Sequence, residues 1–119
     1  TILGAGGRVD RHNHIVDLDK DSSLNLGSQK FSLVYYLCVG DQNCKEPGIL
    51  KLYGPNEDIL PSEGMIIIFP ADRYHSVVYN GKKDRVMIGI NFYSLWIFEY
   101  IVLVGILENL NHSVLIFTS

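Results

Sequence analysis

Cysteine is scarce in this chain of 119 residues, where Cys38 and Cys44 are the only two. Two thiols do not make a disulfide framework, and their spacing around a polar loop allows at most one local bridge. Free thiols in a reducing cytoplasm are the expectation. Basic residues are few as well: 10 Lys and Arg stand against 13 Asp and Glu, for a net charge of −3. No basic stripe is visible, which argues against a nucleic-acid partner. The hydrophobic fraction of 47% and the charged fraction of 19% are those of a globular chain, and the length suits one domain with a real core.

Several motifs are also missing. Gly4-Ala5-Gly6-Gly7 fits neither G-x-x-x-x-G-K-[ST] nor G-x-G-x-x-G, so it reads as a turn before a strand and not as a phosphate loop. Asp17, Asp19 and Asp21 are spaced like a calcium loop, but Ser22 and Ser28 stand where Gly and Glu are needed. The chain begins without an initiator Met or a signal-peptide pattern, and the expectation is a fragment or partial reading frame. Near the other end, LWIFEYIVLVGIL carries one charge, Glu99, in thirteen residues. That is short of the roughly 20 apolar residues of a membrane helix. The expectation is that residues 96–119 form an apolar segment packing on the core at residues 1–95 or on a second copy, as a homodimer. A membrane segment is the alternative.

What is present is β-structure. Phe31 to Val39 has the highest β-propensity in the chain, and Ile49 to Tyr53 alternates. Met65 to Phe69 is a buried-strand run that Pro70 should end. Tyr74 to Tyr79 restarts a strand. Asn80-Gly81 predicts a tight hairpin into Val86 to Phe92. About seven short strands with no amphipathic helix between them predict an antiparallel sandwich or barrel.

The candidate chemistry lies in three histidines and an arginine. His12 and His14 are two apart, which places them on one face if Arg8 to Ile15 is a strand. His75 opens a facing strand. Three imidazoles converging within about 4 Å would hold one metal ion. Arg85, a permanent cation, can face the same cavity and suggests an anion beside the metal.

In this order and spacing the residues resemble the iron(II)- and 2-oxoglutarate-dependent oxygenases, in the prolyl-hydroxylase-like branch. The resemblance spans residues 4–93. It rests on the glycine-rich lead into His12, VYYL at 34–37, PGILKLY at 47–53, P-x-x-G-x-x-x-x-F-P at 61–70, His75 and Arg85. It implies an all-β, double-stranded β-helix (jelly-roll, cupin-like) fold. It also implies Fe(II) and 2-oxoglutarate as cofactors and hydroxylation of a small-molecule or peptide substrate. His12 and His75 are then metal ligands, Arg85 anchors the far carboxylate of 2-oxoglutarate, and Tyr36 (or Tyr35) assists it. The chain departs from the family pattern at His14, which replaces Asp or Glu. Asp17 or Asp19 is the alternative carboxylate ligand. The chain is also similar to the cupins, through G-x5-H-x-H ending at His14 and G-x5-P-x4-H ending at His75. A cupin would keep the metal and lose the cosubstrate role of Arg85. A third reading is a metal-free jelly-roll binding module.

Overall fold

The computed structural model describes residues 2–3, 7–94 and 113–117. Among these the regular structure is strand, apart from two short 3-10 turns at Asp17–Lys20 and Gly27–Gln29. The strands are β1 (Ile2–Leu3), β2 (Arg8–His12), β3 (Lys30–Cys38), β4 (Pro47–Leu52), β5 (Glu57–Ile59), β6 (Met65–Pro70), β7 (His75–Tyr79), β8 (Arg85–Tyr93) and β9 (Ser113–Ile116). They form a five-stranded sheet, β1-β8-β3-β6-β9, and a four-stranded sheet, β2-β7-β4-β5. The described residues are thus all-β, and their two sheets are compatible with a jelly roll.

Composition explains the layering. Met65–Pro70 is apolar at successive positions because β6 lies inside its sheet and is buried on both faces. Ile67 and Phe69 point between the sheets, where they join Tyr36 and Val39 of the β3 side and Leu50 and Leu52 of β4. Each such side chain, fully buried, stabilises the fold by roughly 1.5–3 kcal/mol. On β7 the alternation is clean: His75, Val77 and Tyr79 are buried, while Ser76 is half-buried and Val78 exposed. The period of two therefore turns His75 toward the space between the sheets.

The Asn80-Gly81 hairpin does not form. β7 pairs with β2 and β4, whereas β8 pairs with β1 and β3 in the other sheet. The reason lies in the loop. Asn80 exchanges hydrogen bonds with Glu46, its amide donating to the Glu46 carbonyl and its side-chain oxygen accepting from the Glu46 amide at 3.0 Å. Gly81 has no positive φ, and a side chain there would strike the Asp41 carbonyl and the Tyr79 hydroxyl. The Asn-Gly pair serves close packing across loops and crosses from one sheet to the other.

β2 is also shorter than expected. Its pairing with β7 shifts register between Val9 and His12 and ends there, with His12 opposite His75. His14 lies beyond the strand, and its amide donates to the Ala71 carbonyl at 2.8 Å. Cys38 and Cys44 are free, half-buried thiols. The apolar stretch at 97–107 lies outside the described residues, so the expected packing of that segment does too. Ser113–Ile116 adds a parallel strand beside β6. No helix among the described residues is long and apolar enough to cross a membrane.

Candidate metal centre

His12 ends β2, His14 follows in the loop, and His75 opens β7. One ring nitrogen from each lies within 4.8 Å of those of the other two, and among the described residues no other such cluster of metal-ligating groups occurs. The Nε2 atoms of His14 and His75 are 3.1 Å apart. Two nitrogens bound to one ion at roughly 2.0–2.1 Å and at a right angle would stand about 3.0 Å apart, so this pair is spaced as donors to a shared ion. The three rings face one another at centroid distances of 4.2–4.9 Å.

Hydrogen bonds set the tautomers. Nδ1 of His12 lies 2.7 Å from the Asp10 carbonyl, and Nδ1 of His75 lies 3.3 Å from the Arg73 carbonyl. A carbonyl only accepts, so each Nδ1 carries the proton and each Nε2 keeps its lone pair for a metal. Burial pushes the His75 pKa down to about 4; the Arg73 carbonyl opposes the shift, and His12 and His14 add to it. Burial also lowers His14, helped by His12 and the Lys30 ammonium. Neutral imidazoles at neutral pH are the form that ligates.

The carboxylates sit elsewhere. Asp17 is exposed and lies 3.8 Å from Lys20. Asp19 is buried and taken up by three donors: the Lys30 ammonium at 2.8 Å, the Val16 amide at 2.9 Å and the Tyr93 hydroxyl at 2.5 Å. Those bonds, with that to Lys30 foremost, hold its pKa down to about 2. The donor set brought together is therefore three imidazole nitrogens and no carboxylate, which suits a divalent transition metal and leaves its charge uncompensated.

A cavity of about 130 Å³ opens between the sheets beside these rings. Its lining includes the three histidines, Tyr36, Met87 and Gly89. Gly89 lies on β8, in register with Val34, and a Cβ added there would meet nothing within 4 Å. The missing side chain leaves the cavity open. A wider groove of about 580 Å³ lies outside it, lined by Arg11, Tyr53, Tyr74 and Arg73 among others.

Arg85 is fully buried, two residues before Met87 on the same face of β8. None of its three guanidinium nitrogens has a hydrogen-bond partner among the described residues. Its charge stands over the rings of Tyr79 at 5.2 Å and Tyr36 at 5.7 Å. The Tyr36 hydroxyl is near enough to offset the effect of burial but outside hydrogen-bonding geometry; burial still lowers the Arg85 pKa. Tyr36 separates Arg85 from the cavity that it lines, and burial pushes its own pKa up to about 12. Gly48, at φ 87°, permits this arrangement, since a Cβ there would fall 2.6 Å from the guanidinium carbon. Tyr35, the neighbouring position, belongs to the opposite face of β3 by alternation.

Sequence reasoning overlooked Lys30, Gly48 and Gly89. The only signal of Lys30 was a charge against the first residue of an apolar strand. The glycines gave none beyond their type.

A solved structure of a Pseudomonas putida prolyl-4-hydroxylase superposes with a TM-score of 0.57 and 22% identity, over 78% of this chain and 48% of that one. The chain shares its fold with a prolyl hydroxylase. It spans about half the length of that protein. No protein-family model and no curated protein matches the sequence. That likeness is one of fold, and the histidine cluster is a group that could hold a metal ion.

Proposed function

We propose that this chain is the core of an iron(II)- and 2-oxoglutarate-dependent oxygenase of the hydroxylase type, with a three-histidine metal site. The observation that carries the reading is the buried guanidinium of Arg85, which has no hydrogen-bond partner among the described residues and packs against Tyr36, a wall of the cavity that holds three convergent imidazoles. Leaving a buried charge without a partner costs several kcal/mol. A carboxylate would remove that cost, and the planar fork of an arginine accepts one bidentately.

The fit to both groups is chemical. Nε2 of His12, His14 and His75 would hold the metal, and Arg85 would hold the distal carboxylate of 2-oxoglutarate, with Tyr36 beside it. The cavity is on the scale of a small organic acid, and Gly89 keeps it so. When bound, iron and 2-oxoglutarate supply the oxidising power for hydroxylating a C–H bond. The chain's own part is to fix the donors, orient the acid and exclude water. Val34, Leu50, Val77 and Met87 give the cavity an apolar wall, which strengthens polar interactions made inside it.

One observation favours a second reading, a cupin-like metal protein without oxygenase turnover: the place of the carboxylate ligand is taken by His14, and neither Asp17 nor Asp19 reaches the cluster. Metal analysis of the purified protein, with binding of 2-oxoglutarate measured by calorimetry, separates the two. The oxygenase reading expects about one divalent ion per chain and 2-oxoglutarate binding that is lost in Arg85→Leu at unchanged metal content. Metal without 2-oxoglutarate binding in the wild type supports the cupin-like protein instead.

A further inference from the structure

We propose that Lys30 is a positioning residue for His14, clamping the loop that carries this third imagined donor into reach of His75. The inference rests on the metal-binding part of the reading above. His14 lies beyond the end of β2, so no strand ladder orients it. Both of its main-chain groups are nevertheless held. The amide donates to the Ala71 carbonyl at 2.8 Å, in the turn that leads to His75. The carbonyl accepts from the Lys30 ammonium at 2.8 Å. The Ala71 amide in turn donates to the Lys30 carbonyl at 3.0 Å, so His14, Ala71 and Lys30 close a ring of three bonds.

A lysine in the interior needs a counter-charge, and Asp19 provides it. One carboxylate oxygen of Asp19 takes both the Lys30 ammonium and the Val16 amide, and the other takes the Tyr93 hydroxyl. The loop from His14 to Asp19 is therefore fastened to β3 through Lys30 and to β8 through Tyr93. Lys30 is 6% exposed and Asp19 is 5% exposed, so water competes little for these bonds. An apolar residue in place of Lys30 would fill the space and release the His14 carbonyl. The other two imidazoles have their own anchors in β2 and β7; His14 has this one.

The test is a double-mutant cycle read through metal affinity. Cobalt(II) is titrated into the purified full chain and its Lys30→Met, His14→Ala and doubly substituted variants, with the visible spectrum of the bound ion recorded. The expected result is a loss of about 10–100-fold in affinity for Lys30→Met. The double variant should bind no more weakly than His14→Ala alone, because the lysine acts through that ring. The cobalt spectrum of Lys30→Met should shift toward that of His14→Ala, and Lys30→Arg, which keeps a donor there, should recover part of the affinity. A merely structural lysine would instead weaken binding by the same factor with or without His14, and that additivity overturns the proposal. An affinity within about twofold of wild type also overturns it. Should Lys30→Met fail to fold, Tyr93→Phe removes one bond from the same clamp and carries the same cycle. A wild type that binds no cobalt defeats the metal reading itself, while a wild type that binds with uncoupled variants defeats only the role of Lys30.

Discussion

Three cations are buried among the described residues, Lys30, Arg73 and Arg85, and the first and the last are treated in opposite ways. Lys30 touches a carboxylate and a backbone carbonyl, and its ammonium faces the Tyr93 ring at 5.5 Å. Burial pulls its pKa down, but the hydrogen bond and charge of Asp19 outweigh that pull and the net shift is upward. Arg85 has aromatic rings on its sides and no acceptor for its nitrogens among the described residues, and its pKa falls. A charge that is satisfied inside the chain contributes to the fold. A charge that is not satisfied is costly to the fold and useful to a ligand.

That contrast is open to a direct test, in which the two cations are each replaced by an apolar side chain. Lys30→Met strands the Asp19 carboxylate in the interior and should lower the melting temperature by about 10 °C. Arg85→Leu removes an unmet charge and should leave the melting temperature of the ligand-free protein unchanged or raise it by a few degrees. Thermal unfolding followed by circular dichroism checks both. A comparable drop in the two variants would mean that Arg85 is satisfied within the fold, and the ligand argument would lose its basis.

The second prediction concerns the histidine cluster. His14→Asp supplies the carboxylate that three imidazole nitrogens lack. Decarboxylation of 2-oxoglutarate, followed as released carbon dioxide with iron(II) present, should rise by about tenfold or more over the wild type. Equal rates would show that His14 is a competent ligand as it stands or takes no part. Substituting Asp17 and Asp19 in turn tells those cases apart.

The smallest effect is the response of the metal-free protein to pH. His75 titrates at about 4 in the fold against 6.5 when unperturbed, and His14 is lowered too. Between those values the unfolded chain binds more protons, so stability should fall as pH drops from about 6.5 toward 4. Asp19, held at about 2 against 3.8, adds its loss only below that range. Urea midpoints measured from pH 7.5 to 4.5 check the slope. A flat profile would mean that the imidazoles are protonated freely and are not held neutral beside the cavity.

Much of this arrangement was legible along the chain, and the failures have local causes. His75 was expected to open a facing strand and does open β7, and the apolar run of Met65–Phe69 announced a buried strand. Asn80-Gly81 misled because a hairpin signal describes what two residues prefer, while Glu46 took the polar groups of Asn80 from another loop and the Asp41 carbonyl packed close against Gly81. His12 and His14 were expected to share a strand face. They meet instead because β2 stops and the loop bends under the hold of Ala71 and Lys30. Asp19 was a candidate ligand by type and proximity in sequence, and two of its three actual partners come from eleven and seventy-four residues away.

By itself the sequence determined the all-β character of the described residues and the residue types capable of holding a metal. These follow from side-chain chemistry and from alternation, which act over a few residues. Only the tertiary structure decided which of the charged groups are satisfied. Partnership between Lys30 and Asp19, and its absence at Arg85, depends on how strands from two sheets pack, and a buried charge is worth or costs what its neighbours in space make of it.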